Sequence, residues 1–264
     1  MVEPVLAGVV DNYVNLCPCY DVDGLQGVRA EIAGETAAYK LCYKRAYRCL
    51  TAAAQLLEDD RVLLDTPQLE AKLRKRAKGI LSREVKKTGR QQGRARQRFL
   101  GAVTCQGEVT LFHTVEALCT RVYELSDTYG LGAGMLSELA SGAMAAGYDV
   151  VLCPSPLFPD RLEHLLIPEL SLAFVRGTHA APWPGHPARR VRLDAMADPE
   201  LLRRSKQRLK FSRKVAAALI DETVEALGEA KAHHDSLEAL YHPYVDFGHV
   251  QAIGDALAEE LLAL

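Results

Sequence analysis

The chain has 264 residues, 48% hydrophobic and 25% charged, with a formal net charge of −2. That is globular composition, long enough to bury a sizeable core as one large domain or two small ones. It excludes a disordered or fibrous chain, and no apolar run reaches the roughly 18 residues a membrane helix needs.

The opening stretch, MVEPVLAGVVDNYVNL, sets no basic region ahead of an apolar one, so no signal peptide is expected. Seven cysteines, at 17, 19, 42, 49, 105, 119 and 153, are an odd number and scattered. Cys17-Pro-Cys19 is too closely spaced for the usual zinc knuckle. Reduced thiols in a cytoplasmic protein are the expectation.

Residues 26–58 read as a helix. Tyr39, Tyr43, Ala46, Leu50, Ala53 and Leu57 recur at spacings of three and four, which is one helix face. A second helix, basic and short, opens at Thr66-Pro67 and runs to about residue 82. Residues 61–100 carry thirteen Lys/Arg against three Asp/Glu, while the rest of the chain carries nineteen against thirty-one. The tract LRKRAKGILSREVKKTGRQQGRARQR has no aromatic residue to stack on a base before Phe99. Its composition favours a solvated linker, with nucleic-acid association through residues 72–98 as the alternative.

FLGAVT and EVTLFHT flank Cys105-Gln106-Gly107 as a candidate antiparallel hairpin. Residues 121–175 then alternate strand, glycine-rich turn, helix, strand and strand, the pattern of a parallel α/β sheet. The stretch around Pro182, Pro184 and Pro187 is irregular. From Asp198 the chain is helical, with Phe211, Val215, Leu219, Ile220, Val224 and Leu227 on a stripe, a break at Pro243 and a last short helix. The expected division is a helical arm 1–82, a basic linker 83–98, an α/β domain 99–197 and a second helical arm 198–264.

A shift of 177 residues aligns the two helical regions without gaps. Gly8 falls on Gly185, Val14 on Val191, Leu16 on Leu193, Leu50 on Leu227, Ala53 on Ala230 and Ala46 on Thr223. A constant offset of this kind signals an internal repeat. On this reading the first arm is the helical tail of a preceding α/β unit that the sequence does not contain.

The stretch that bears on chemistry is the turn TYGLGAG after the strand TRVYELSD. A glycine-rich turn before a helix lets backbone N–H groups approach a phosphate. Such a loop normally closes with Gly-Lys-Ser/Thr, which is absent here.

GYDVVLCPSPLFPDRLEHLLIPELSLAFVRGTHA (147–180), YKRAYRCLTAAA (43–54) and FLGAVTCQGEVTLF (99–112) carry a resemblance to the tandem P-loop ATPase-like, nucleotide-kinase-like bacterial proteins. The similarity covers nearly the whole chain, as the end of a first unit and all of a second. It implies a P-loop-type parallel sheet with long helical arms at both ends. It places the nucleotide at Gly130, Gly132, Ala133, Gly134 and Met135, with Asp160, Glu169, Arg176 and His179 at the site edge. The chain departs from the family where it matters, because Gly132 stands at the lysine position, Ala133 at the hydroxyl position and Arg176 at the acidic position.

Without lysine, hydroxyl and acid, ATP and Mg²⁺ would meet only backbone dipoles, so weak or lost binding is expected. The resemblance therefore implies a degenerate ATPase-like protein, a structural or regulatory half beside a second P-loop unit or another copy. The alternative is an active ATPase or small-molecule kinase that uses backbone amides and Arg176, whose guanidinium can grip a phosphate. Nucleic acid and membrane are not expected partners.

His233-His234-Asp235 is not expected to hold a metal, since adjacent helical side chains diverge by about 100°. His179 and His186 are candidate general bases in the proline-rich stretch. Cys153 is expected to be a buried strand thiol, and Trp183 either caps the site or packs.

Overall fold

The structure, a computed structural model, describes residues 13–177 and 182–263. In chain order the elements are α1 (Val22–Gly27), α2 (Arg29–Leu64), α3 (Pro67–Glu84), β1 (Ala95–Gln97), β2 (Gly101–Thr104), β3 (Gly107–Thr110) and α4 (Phe112–Leu118). There follow β4 (Arg121–Ser126), α5 (Ala133–Ala145), β5 (Val150–Pro154), β6 (Leu162–Ile167), β7 (Leu172–Gly177), β8 (Arg189–Arg192), α6 (Pro199–Tyr241) and α7 (Phe247–Leu262). The chain packs as two compact units, Met1–Tyr43 with Glu229–Leu264, and Lys44–Gly228. This division cuts across the expected segments, because α2 and α6 each contribute to both units.

The smaller unit is helical. Asp21 caps α1 by accepting from the Gly24 N–H at 3.0 Å, and Asp246 caps α7 by accepting from the His249 N–H at 2.9 Å. A bridge between Tyr20 and Val245 ties its two chain segments together. His233 Nδ1 lies 2.8 Å from Glu35 Oε2.

The larger unit is α/β. Six strands form one sheet in the order β1-β5-β6-β7-β4-β8. β1 pairs parallel with β5, and β4 pairs parallel with β7 and β8. β6 runs antiparallel between β5 and β7, so the sheet is mostly parallel and not uniformly so. The cause is the connection: residues 155–161 hold no crossover helix, and a turn that short reaches only an antiparallel neighbour. β1 also lies inside the tract expected as a linker and extends the sheet by an exposed edge.

Strand alternation sorts the side chains into two cores. Tyr123, Leu125, Leu165, Ile167, Leu172 and Phe174 pack with α3 and α5 on one face. Val122, Leu166, Ala173, Val175 and Cys153 pack on the other with Val115 of α4 and Trp183. β2 and β3 form the expected hairpin. Thr66 caps α3, ahead of Pro67 at the first helical position.

Within this unit α2 and α6 meet as antiparallel partners: Thr223 Oγ1 donates to the Ala46 carbonyl at 3.4 Å, and further along α2 Asp60 faces Ser212. Two sets of buried positions face this contact, Ala46, Ala53 and Asp60 on α2 and Leu209, Ala216 and Thr223 on α6, with Leu64, Ser212 and Ala226 buried outside them. Both sets repeat every seven residues, the period of a coiled seam. Phe211, expected on the buried stripe, is 65% exposed, because that seam takes small residues and turns Phe211 outward.

Candidate functional site

β4 sits between β7 and β8, while the chain leaving β4 travels through α5 to β5 on the far side of β7. The connections from β4 and β7 therefore diverge in opposite directions. In open α/β sheets, the crevice outside the C-terminal strand ends at such a switch point is where ligands bind. The glycine-rich turn after β4 and Arg176 near the end of β7 both lie there.

The turn is closed on carboxylates of the protein itself. Asp127, buried directly after β4, accepts from the Leu131 N–H at 2.8 Å and the Gly132 N–H at 2.9 Å. Asp194 accepts from the Thr128 N–H at 3.0 Å and the Thr128 hydroxyl at 2.6 Å. Burial pushes the Asp194 carboxyl up, against the pull of these Thr128 bonds. Arg176 Nε donates to the Asp127 carbonyl at 2.8 Å, and its Nη1 pairs with Glu163 Oε1 at 2.6 Å. Burial alone would weaken the Arg176 charge, but Asp127, Glu163 and Asp194 hold it above its ordinary value. Two amides of the glycine-rich turn are thus occupied by an internal carboxylate.

Two glycines of the turn are required by its geometry. Gly130 has φ +70°, a left-handed conformation open to glycine at little cost. Gly132 is wedged, since an added Cβ would come within 2.8 Å of Leu193 Cδ1 and 3.0 Å of Asp127 Oδ2. Gly134 has open space around its Cα, and Met135 is buried in the core.

Beside the turn lies a cavity of about 300 Å³. Leu57, Val103, Val109, Leu125, Leu136 and Ile220 supply much of its apolar wall. Its charged lining includes Asp60, Arg61, Glu108, Asp127, Arg161, Glu163, Arg176 and Arg213. Most of these charges are answered. Arg161 and Arg61 both grip Glu58, which holds its carboxyl down at about 2. The Arg213 guanidinium lies 5.4 Å from the Tyr129 ring centre. His164, also on the wall, is buried, and burial drives its imidazole down to about 4, so the ring is neutral. Its Nδ1 accepts from the Arg176 N–H at 3.1 Å, which leaves the proton on Nε2.

Two acids on the wall are not answered. Asp60 is 1% exposed, and neither carboxylate oxygen has a hydrogen-bond partner. The Ser212 hydroxyl beside it donates to the Arg208 carbonyl at 3.1 Å, and Ser212, Arg208 and Arg213 lie close enough to oppose the effect of burial on the carboxyl. Burial raises the Asp60 carboxyl. Glu108 is exposed on β3 and makes no hydrogen bond or ion pair among the described residues, and partial desolvation by the cavity wall together with the nearby Glu163 charge raises its carboxyl as well.

Of the residues singled out in the sequence, Gly130, Ala133 and Arg176 line the cavity, while Gly132 holds the turn shut. Asp160 is exposed in the β5–β6 turn and does not line the cavity. Glu169 follows β6, whose reversal carries it to the opposite end of the strands, where it pairs with Arg90 at 2.8 Å. His179 lies outside the described residues. His186 is exposed, and Cys153 is a buried strand thiol pushed up to about 12 by burial. Trp183 packs edge-on against Phe112, with ring centres 5.3 Å apart. His234, Asp235 and Glu238 bring one ligand atom each into a small exposed cluster, while His233 turns to Glu35. Asp127, Asp60 and Glu108 were missed. Asp60 had a signal, because it stands seven residues after Ala53 on the Ala46–Ala53 face.

Set against family models, curated proteins and solved structures, the chain matches none of them.

Proposed function

We propose that the α/β unit is P-loop-like, with a turn that has exchanged a nucleotide phosphate for its own carboxylate. The protein then serves as a non-hydrolysing binding or regulatory module, beside a second unit of this kind or another copy. The observation that carries this reading is Asp127 accepting from the Leu131 and Gly132 amides. Each such bond to a charged acceptor contributes about 1.5–3 kcal/mol. An incoming phosphate would have to displace both and then sit against a buried carboxylate. Arg176, a cation beside the turn that could compensate, is already held by Glu163 and the Asp127 carbonyl.

Calorimetry with ATP and Mg²⁺ tests this. The unaltered protein is expected to give no binding heat and no phosphate release. Asp127→Gly, which frees two amides and removes the competing charge, is expected to gain weak phosphate or ATP binding. Micromolar ATP binding with turnover by the unaltered protein would overturn the reading.

A further inference from the structure

The cavity beside the turn is concave, large enough for a small ligand and apolar over much of its wall. Its lining carries four acids and four arginines, but the arginines are directed elsewhere. Its arginines are engaged: Arg61 and Arg161 by Glu58, and Arg176 by Glu163. Arg213 donates from Nε to the Leu209 carbonyl and lies over Tyr129. Its acids Asp60 and Glu108 are left over, and Asp60 is fully buried with both oxygens unpaired. A buried carboxyl without a partner is costly, so a native structure that keeps one invites a missing donor. Asp60 and Glu108 do not belong to any group of acids close enough to clasp a metal among the described residues. An apolar wall also suits an organic body better than a hydrated ion.

We propose that this cavity binds a small organic cation, a primary amine on an apolar body, with Asp60 and Glu108 supplying the negative charge that receives it. The ammonium donates charge-assisted hydrogen bonds to the carboxylates, while the carbon skeleton covers Leu57, Val109, Leu136 and Ile220. The site does not use the amides of the turn, so it stands whether or not the phosphate reading above does. The groups that face Asp60 are Ser212, Arg208 and Arg213 from α6 and Asp59 from its own helix. Those that face Glu108 are Glu163, Arg176 and Asp221. Both carboxyls are raised above their ordinary values, so amine affinity should rise with pH until they ionise.

Three probes of one skeleton test the charge directly: isopentylamine, isopentanol and isopentanoic acid, titrated into the full chain by NMR and calorimetry. The amine is expected to bind saturably and about tenfold or more tighter than the alcohol, with the acid weakest. Glu108→Gln and Asp60→Asn are each expected to cost about tenfold in amine affinity and to leave the alcohol unchanged. The same loss should appear in the unaltered protein between neutral pH and about pH 4, which keeps the test valid if a variant fails to fold. No amine binding at millimolar concentration, equal affinity for amine and alcohol, tighter binding of the acid, or a flat pH response would each overturn the proposal.

Discussion

Asp60 and His164 are two buried ionisable groups on the wall of one cavity, and they load the stability of the protein in opposite directions. Burial raises the Asp60 carboxyl above the ordinary 3.8. The folded protein therefore holds that proton more tightly than the unfolded chain, and stability falls as pH rises through the raised value. Asp60→Asn removes the penalty. It is expected to stabilise the protein by about 1 kcal/mol at pH 8, with no gain near pH 3, as measured by urea unfolding at both. His164 runs the other way. Burial takes its imidazole from 6.5 down to about 4, so the unfolded chain binds the proton first and stability falls as pH drops from about 6.5 to 4. That window is worth about 3 kcal/mol. His164→Asn keeps an acceptor for the Arg176 amide and is expected to flatten the acid limb between pH 6.5 and 4. An unchanged limb would place the proton uptake elsewhere. Arg176 was legible from its place at a strand end. Asp127 was not, because a lone acid after a strand gives no sign that it will fold back onto the amides of its own turn.

At the scale of elements, the turn after β4 separates glycines kept for geometry from glycines that are incidental. Gly132→Ala drives a methyl into Leu193 and the Asp127 carboxylate, and is expected to cost about 1–3 kcal/mol. Gly134 opens the first turn of α5 with free space around it. Gly134→Ala should therefore be neutral or gain about 0.5–1 kcal/mol from helix propensity. Thermal unfolding of the pair decides, and equal losses would mean that both glycines are needed by the turn. The same scale shows what the pattern could and could not convey. β4, β5 and β7 are apolar runs bounded by turn residues and were readable. β1 (Ala-Arg-Gln) and β8 (Arg-Arg-Val-Arg) have almost no apolar signal and join the sheet through backbone pairing at its edges. β6 is an apolar run that periodicity alone does not distinguish from a helix. Missing it left Glu169 at the wrong end of the strands.

At the scale of the molecule, the offset of 177 residues can be set against the packing of α2 on α6. Ala46 and Thr223, which the offset makes equivalent, touch each other through the Thr223 hydroxyl. Antiparallel helices bring one such pair together for any offset, so positions further along are the test. The next pair under the same offset is Ala53 and Ala230, one in each unit, and both are buried at 1% exposure or less. A seam of alanines seven residues apart has no room for a longer side chain, since overpacking forces neighbouring side chains off their rotamers. Ala53→Met and Ala230→Met are accordingly each expected to destabilise by about 1–3 kcal/mol. Hydrogen exchange locates the loss: protection should fall in 44–64 and 199–228 for the first variant, and in 29–43 and 229–241 for the second. Comparable losses would mean that the repeat describes packing as well as sequence. A loss at Ala53 alone would confine the coiled seam to the α/β unit and leave the offset a matter of residue pattern.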